Sequence, residues 1–300
     1  MTAADSILVV EAVRAGYTDE DILKGVSMNV PRGGVIAVLG PNGSGKSTLL
    51  KAIYGLVPRK IGSVTFHPRR GGWIELVGMR PHQITARGIN MVPQISNVFP
   101  DMSVLENLEM GSIRQRSRTA ERTERVLNAL PLLKPLLARR AATLSGGQRQ
   151  TLGIARALMS DPELLILDEP SAGLAPNIVD EVLEKVQAIN REGVSVLMVE
   201  QKARQCLGIA NYGYILEQGR NQMEGPSAQL LDDPEMVRLY LGGRRGRVVD
   251  ADVAGKTETA HQADGAAMPP VAVESATFEP TVAPRKRGLR GLLRRRGIRM

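Results

Sequence analysis

The nine residues "GPNGSGKST", Gly40 to Thr48, constrain this chain more than any other stretch. They fit G-x-x-x-x-G-K-[ST] through Gly40, Gly45, Lys46 and Ser47, and they stand between an apolar run, "GGVIAVLG", and a helix-like one, "KSTLLKAIYGL". A buried strand that empties into a glycine-rich loop and then a helix is one unit of an α/β layer. The glycines let successive N–H groups converge on one anion-sized concavity, and the helix N-terminus adds partial positive charge. Gly40, Pro41, Asn42, Gly43, Ser44, Gly45, Lys46, Ser47 and Thr48 are therefore expected to cradle a chain of phosphates. Lys46 reaches the β- and γ-phosphates in that arrangement, and Ser47 is expected to ligate Mg²⁺.

Two further stretches carry chemistry of the same kind. "LLILDEP", Leu164 to Pro170, is an apolar strand that ends in two carboxylates. Asp168 is placed to hold Mg²⁺ through water, and Glu169 to orient and polarise an attacking water. "LSGGQRQ", Leu144 to Gln150, puts Ser145 at the N-cap of a helix, with Gly146 and Gly147 leaving its first N–H groups open to an anion. One chain already has its own phosphate loop, so a second anion-ready helix start points to a site completed by another copy. A third apolar run, "VSVLMVEQKA", delivers Glu200 and Gln201 to a sheet edge.

The body of the chain alternates strand-like and helix-like segments. "ILVVEAVRAGY" with "GVSMNVPRGG", and "GSVTF" with "WIELVG", read as hairpins, whereas Ser103 to Ala157 is almost wholly helical. The expected architecture is an α/β core sheet with an antiparallel β-subdomain and a helical subdomain at roughly 100–160. Aromatic residues make up 3% of the chain, so the core must rest on Val, Ile, Leu, Ala and Met. A single cysteine, Cys206, rules out an internal disulfide and fits a reducing compartment. The start, "MTAADSILVVEAV", lacks the pattern of a signal peptide, and no apolar run approaches the roughly 18–20 residues that span a bilayer.

The formal charge of +8 is unevenly placed: from 244 to 300 there are 12 basic and 6 acidic residues. Residues 244–284 lack any sustained period and read as a disordered linker. "RKRGLRGLLRRRGIR", 285–299, reads as a solvated basic end able to touch anionic lipid. The body is close to neutral, and no specific nucleic acid is expected as a partner.

In their order and spacing, Gly40–Thr48, Leu144–Gln150 and Leu164–Glu169 resemble the nucleotide-binding subunit of an ATP-binding cassette (ABC) transporter, over about residues 5–243. The resemblance implies a P-loop ATPase that pairs head to tail with a second ATPase subunit. Each ATP then lies between one phosphate loop and the partner's Ser145–Gly147 equivalent. Gln94 in "MVPQ" matches a glutamine that contacts Mg²⁺ and senses the membrane subunit, and Tyr17 matches an aromatic that stacks on adenine. Ser171–Ala175 matches the D-loop and Gln201 the switch position. The chain departs from the family twice, with Gln201 where histidine is usual and Ala175 where aspartate is usual. Those departures, together with "VFPDMSVLENL" and "MVRLYLGG", are similar to the LivF-type subunit of branched-chain amino acid importers, with urea and short-chain amide importers sharing much of the pattern. The implied partners are transmembrane permease subunits, a homologous or identical ATPase subunit and a separate solute-binding protein. The implied place is the cytoplasmic face of the inner or plasma membrane. Glutamine cannot exchange a proton near neutral pH, so Glu169 should carry the water-activating role, with Lys46 on the phosphates and Gln201 positioning. A soluble ABC-type ATPase acting on DNA or ribosomes is the alternative. It is disfavoured because such chains carry two cassettes or very long insertions. A pure ATP-binding module is disfavoured by the intact Lys46, Asp168 and Glu169.

Overall fold

The computed structural model describes residues 5–57, 59–95 and 97–239; the tail expected at 244–300 lies outside them. The chain opens with β1 (Ser6–Gly16), β2 (Leu23–Pro31) and β3 (Val35–Leu39), and the phosphate-loop segment then leads into α1 (Lys46–Ile53). β4 (Arg59–Phe66), β5 (Ile74–Glu75), the short α2 (Pro81–Ala86) and β6 (Ile89–Val92) follow. The helical stretch holds α3 (Val104–Gly111), α4 (Thr119–Ala129) and α5 (Gly146–Leu158), linked by 3-10 turns. β7 (Leu164–Asp168), α6 (Pro176–Arg191), β8 (Ser195–Val199) and α7 (Ala203–Ile209) return to the core. β9 (Tyr212–Glu217), β10 (Arg220–Pro226), α8 (Ser227–Asp232) and α9 (Pro234–Leu239) complete the described chain.

Two sheets result. An antiparallel one has the order β2-β1-β4-β5, and a six-stranded one has the order β10-β9-β3-β8-β7-β6. In the second, the pairs β9–β3, β3–β8, β8–β7 and β7–β6 are all parallel. Strands buried on both faces need continuous apolar sequence, and β3, β7 and β8 are buried at every position. Their side chains alternate between two cores. Ala37, Leu165, Leu167, Val196 and Met198 face the helical side with α5 and α6. Ile36, Val38, Ile166, Leu197 and Val199 face α1 and the antiparallel sheet.

The helices start where their sequences cap them. Ser103 and Glu106 cap α3 reciprocally, as Ser145 and Gln148 cap α5. α6 begins with Pro176 at its first position and buries Val179, Val182, Leu183, Val186 and Ile189 along one stripe. β9 and β10 were not apparent as strands in the sequence. They join through a two-residue turn, Gln218–Gly219, with φ of 47° and 78°, the left-handed pair that matches hairpin twist.

Because β3, β8, β7 and β6 run parallel and adjacent, their C-terminal ends fall on one sheet edge. That edge receives Gly40, Glu200–Gln201, Asp168–Glu169 and, two residues beyond Val92, Gln94.

Candidate active site

The phosphate loop leaves β3 at Gly40, whose φ is 142° and where a Cβ would overlap the Leu216 carbonyl oxygen of neighbouring β9. Only glycine fits there. Gly45, at φ 102°, occupies the N-cap of α1, and no side chain caps that helix. The first N–H groups of α1 therefore have no intrahelical acceptor and remain available to an anion. Ser44 Oγ is buried beside Gly40 with no hydrogen-bond partner among the described residues, a polar atom that suits a polar guest.

Lys46 folds back across its own loop, donating from Nζ to the carbonyl oxygens of Gly40 (2.9 Å) and Pro41 (3.0 Å). Burial pushes its pKa down, opposed by the carboxylates of Glu169, Asp168 and Glu200. The Ser47 hydroxyl donates to Asp168 Oδ1 at 2.8 Å. Burial raises the Asp168 pKa, and the Ser47 hydrogen bond works against that rise.

Glu169 takes a left-handed backbone conformation, φ 47°, and its N–H donates to the Val199 carbonyl at 3.0 Å. The carboxylate receives Gln94 Nε2 at 2.8 Å and Gln201 Nε2 at 2.9 Å on each oxygen. Side chains from the ends of three strands thus meet on one carboxylate, a link that neither glutamine revealed in the sequence.

Pro41, Asn42 and Gly43 are exposed at the loop's rim, and Thr48 is buried behind it. Tyr17 lies just past β1 with its ring about half exposed (47%), and no hydrogen bond or ring contact joins it to the loop among the described residues. The following turn, with Asp19 and Asp21, and Lys24 at the start of β2 line a cavity of about 690 Å³ that Gly43 also borders. Ser145 and Gly146 are exposed, and their capping bonds are made within α5, from Gln148 N–H to Ser145 Oγ (3.3 Å) and from Ser145 N–H to Gln148 Oε1 (3.0 Å). Among the described residues no hydrogen bond connects them to the phosphate loop.

Sequence reasoning missed Glu200 as a working group. It is buried (2% exposed) and accepts from Ser171 N–H and Ser171 Oγ, both at 2.8 Å. A carboxylate directly after the apolar run Val196–Val199 was the available signal.

A mostly parallel sheet whose one edge carries a phosphate loop, a hydroxyl–carboxylate pair and an amide-held glutamate defines a P-loop nucleotide-binding domain. The ABC transporter family profile matches residues 23–172. A high-affinity branched-chain amino acid transport ATP-binding protein, BraG of Pseudomonas aeruginosa, is 40% identical over 79% of this chain and 100% of its own length. The probable branched-chain amino acid transport ATP-binding protein LivF of Archaeoglobus fulgidus is 36% identical over 77% of this chain and 96% of its own. Among solved structures, an ATP-binding cassette of an ABC transporter in its ADP conformation aligns with a TM-score of 0.68 at 30% identity, covering 79% of this chain and 99% of that one. The chain belongs to the ABC transporter family, as an ATP-binding cassette subunit.

Proposed function

We propose that this cassette hydrolyses Mg-ATP to drive a membrane importer of branched-chain amino acids. The observation that carries the reading is the convergence of Gln94 and Gln201 on the Glu169 carboxylate, beside the Ser47–Asp168 pair and the phosphate loop. The two similar proteins named for branched-chain amino acid transport support the solute class.

In this reading Lys46 exchanges the carbonyls of Gly40 and Pro41 for phosphate oxygens, one set of acceptors for another. The open N–H groups of Gly45, Lys46 and Ser47 hold the same phosphates. Ser47 and Asp168 present hard oxygen donors side by side, which suits Mg²⁺; those two, Asp168 through water, with Gln94 would hold the ion. An ion bound there would supply positive charge against the phosphates. Glu169 orients and polarises the attacking water, held in place by the two glutamine amides. Gln201 positions and does not transfer protons. Tyr17 stacks on the adenine.

The exposed, capped start of α5 at Ser145–Gly147 serves the ATP of a second cassette, the same chain or a homologous one. A groove of about 390 Å³, bordered by Phe99, Met110, Ile113 and Arg114, receives a permease segment. Among the described residues no helix is long and apolar enough to cross a membrane. Attachment to the cytoplasmic face of the inner or plasma membrane is then through permease subunits, with a separate solute-binding protein completing the system. The cassette spans 5–243 with its helical subdomain at roughly 100–160, and the basic tail touches anionic lipid.

The test has two arms. Full-length chain should hydrolyse ATP only with Mg²⁺ and lose hydrolysis in Lys46→Ala. Cells lacking the chain should lose uptake of labelled leucine and keep uptake of labelled urea. Loss of urea uptake with leucine uptake intact would move the solute to the amide class. Hydrolysis that persists in Lys46→Ala would remove the ATPase assignment.

A further inference from the structure

The end of β8 holds a buried carboxylate that the mechanism above does not use. Glu200 is 2% exposed and lies on no ion pair among the described residues. A charged or neutral carboxyl buried without a counter-ion is costly unless its oxygens are fully engaged. They are: Oε1 accepts from Ser171 N–H at 2.8 Å, and Oε2 accepts from Ser171 Oγ at 2.8 Å and from the N–H of Gln201 at 3.3 Å. One residue earlier, the Val199 carbonyl accepts the N–H of Glu169 at 3.0 Å. Val199, the last residue of β8, and Glu200, the residue just past it, therefore grip both ends of the three-residue turn Glu169–Ser171. That turn holds Glu169 in a strained left-handed conformation, which persists only where its surroundings over-determine it. The same carboxylate also fixes the main chain of Gln201, whose side chain holds the Glu169 carboxylate from the other side.

We propose that Glu200 is a positioning residue for hydrolysis: it clamps the Glu169–Ser171 turn and the Gln201 main chain to one strand end, so that Glu169 and the loop Ser171–Ala175 move only together with the end of β8. The inference rests on the ATPase reading above, and it assigns the coupling between switch residue and D-loop to a single side chain.

Full-length Glu200→Ala, Glu200→Gln and Ser171→Ala test it. In Glu200→Gln the amide oxygen still accepts the Ser171 N–H and the amide NH₂ donates to Ser171 Oγ, so only the Gln201 contact is lost. Glu200→Ala loses all three. Misplacing a reacting group by an ångström costs on the order of 10²-fold, so kcat should fall on the order of tenfold to a hundredfold in Glu200→Ala, with KM for ATP moving less than about twofold. Glu200→Gln should return kcat to within about threefold of wild type, and Ser171→Ala should add nothing in the Glu200→Ala background. Amide exchange in a peptide spanning 169–175, read without any hydrolysis, should quicken in Glu200→Ala and recover in Glu200→Gln. The clamp is overturned by exchange that does not change, by additive losses in the double variant, or by a KM that rises while kcat holds. If Glu200→Ala does not fold, Ser171→Ala carries the test: kcat lowered about threefold to tenfold at unchanged KM supports the clamp, and wild-type kcat overturns it. A wild-type chain that does not hydrolyse ATP defeats the ATPase reading instead, and the exchange data still decide the clamp.

Discussion

Replacing Glu169 with glutamine separates binding of ATP from its hydrolysis. The carboxylate takes three amide donations at 2.8–2.9 Å. In Glu169→Gln the new oxygen still accepts from Gln94, and Gln201 can turn its own oxygen toward the new NH₂. The network stays satisfied, so the folding cost is about 1 kcal/mol or less. Chemistry loses more, because an amide cannot polarise water as a carboxylate does. The loss of a positioned base is worth on the order of 10²–10⁴ in kcat, or about 3–5 kcal/mol of barrier. Binding moves the other way. Glu169 is one of three carboxylates whose charge reaches Lys46, with Asp168 and Glu200. Removing its negative charge near the triphosphate is worth on the order of 1 kcal/mol after screening, so ATP should bind as tightly as before or up to about tenfold more tightly. Single-turnover hydrolysis measures the first effect and equilibrium binding of a fluorescent ATP analogue with Mg²⁺ measures the second. A variant whose kcat stays within about threefold of wild type, or whose lost activity follows lost binding, refutes the assignment of water activation to Glu169.

Gly40→Ala should destabilise the fold by about 2–4 kcal/mol, because the new Cβ meets the Leu216 carbonyl and φ is 142°; urea unfolding measures it, and nucleotide binding should fall with it. Tyr17→Ala should raise KM for ATP about fivefold to tenfold with kcat unchanged and melting temperature little changed, since the residue is about half exposed; Tyr17→Phe should restore it. Burial raises the Glu200 pKa above its ordinary 4.5, so the folded state holds that proton more tightly than the unfolded state. This contribution to stability is complete below about 4.5 and is lost as pH rises through the raised value. The melting temperature of Glu200→Gln should therefore gain on wild type as pH is raised from about 4.5 to 7; a gap that is constant or moves the other way counts against the sign.

What could be read from sequence is what local chemistry dictates. Val35–Leu39, Leu164–Leu167 and Val196–Val199 are continuous apolar runs bounded by glycine or polar residues, and each forms all or most of a wholly buried strand. Ser145 caps α5 because a hydroxyl three residues ahead of Gln148 satisfies a free N–H wherever the helix lies. The loop Gly40–Thr48 follows from glycine's freedom and lysine's charge. Other elements were illegible because their support comes from far along the chain. β6, "INMV", carries a polar Asn90 in its middle, and only the fold supplies its partners: the Tyr54 hydroxyl at 3.1 Å, the Ala157 carbonyl at 3.0 Å and Ser160 Oγ at 3.0 Å. β10, "RNQMEGP", alternates in and out at the sheet edge and reads as loop until β9 pairs with it.

The sequence by itself determined the pieces: a phosphate loop, two carboxylates at a strand end, a capped helix start and a glutamine where a strand stops. Tertiary structure decided their company. The order β3-β8-β7-β6, all parallel, brings Ser47 to Asp168, and both Gln94 and Gln201 to Glu169, within hydrogen-bond reach at one edge. It also turned Glu200, 29 residues from Ser171, into that residue's acceptor. Periodicity and capping act over a few residues, whereas strand order is a choice among long-range pairings, fixed only when both faces of the sheet are buried at once.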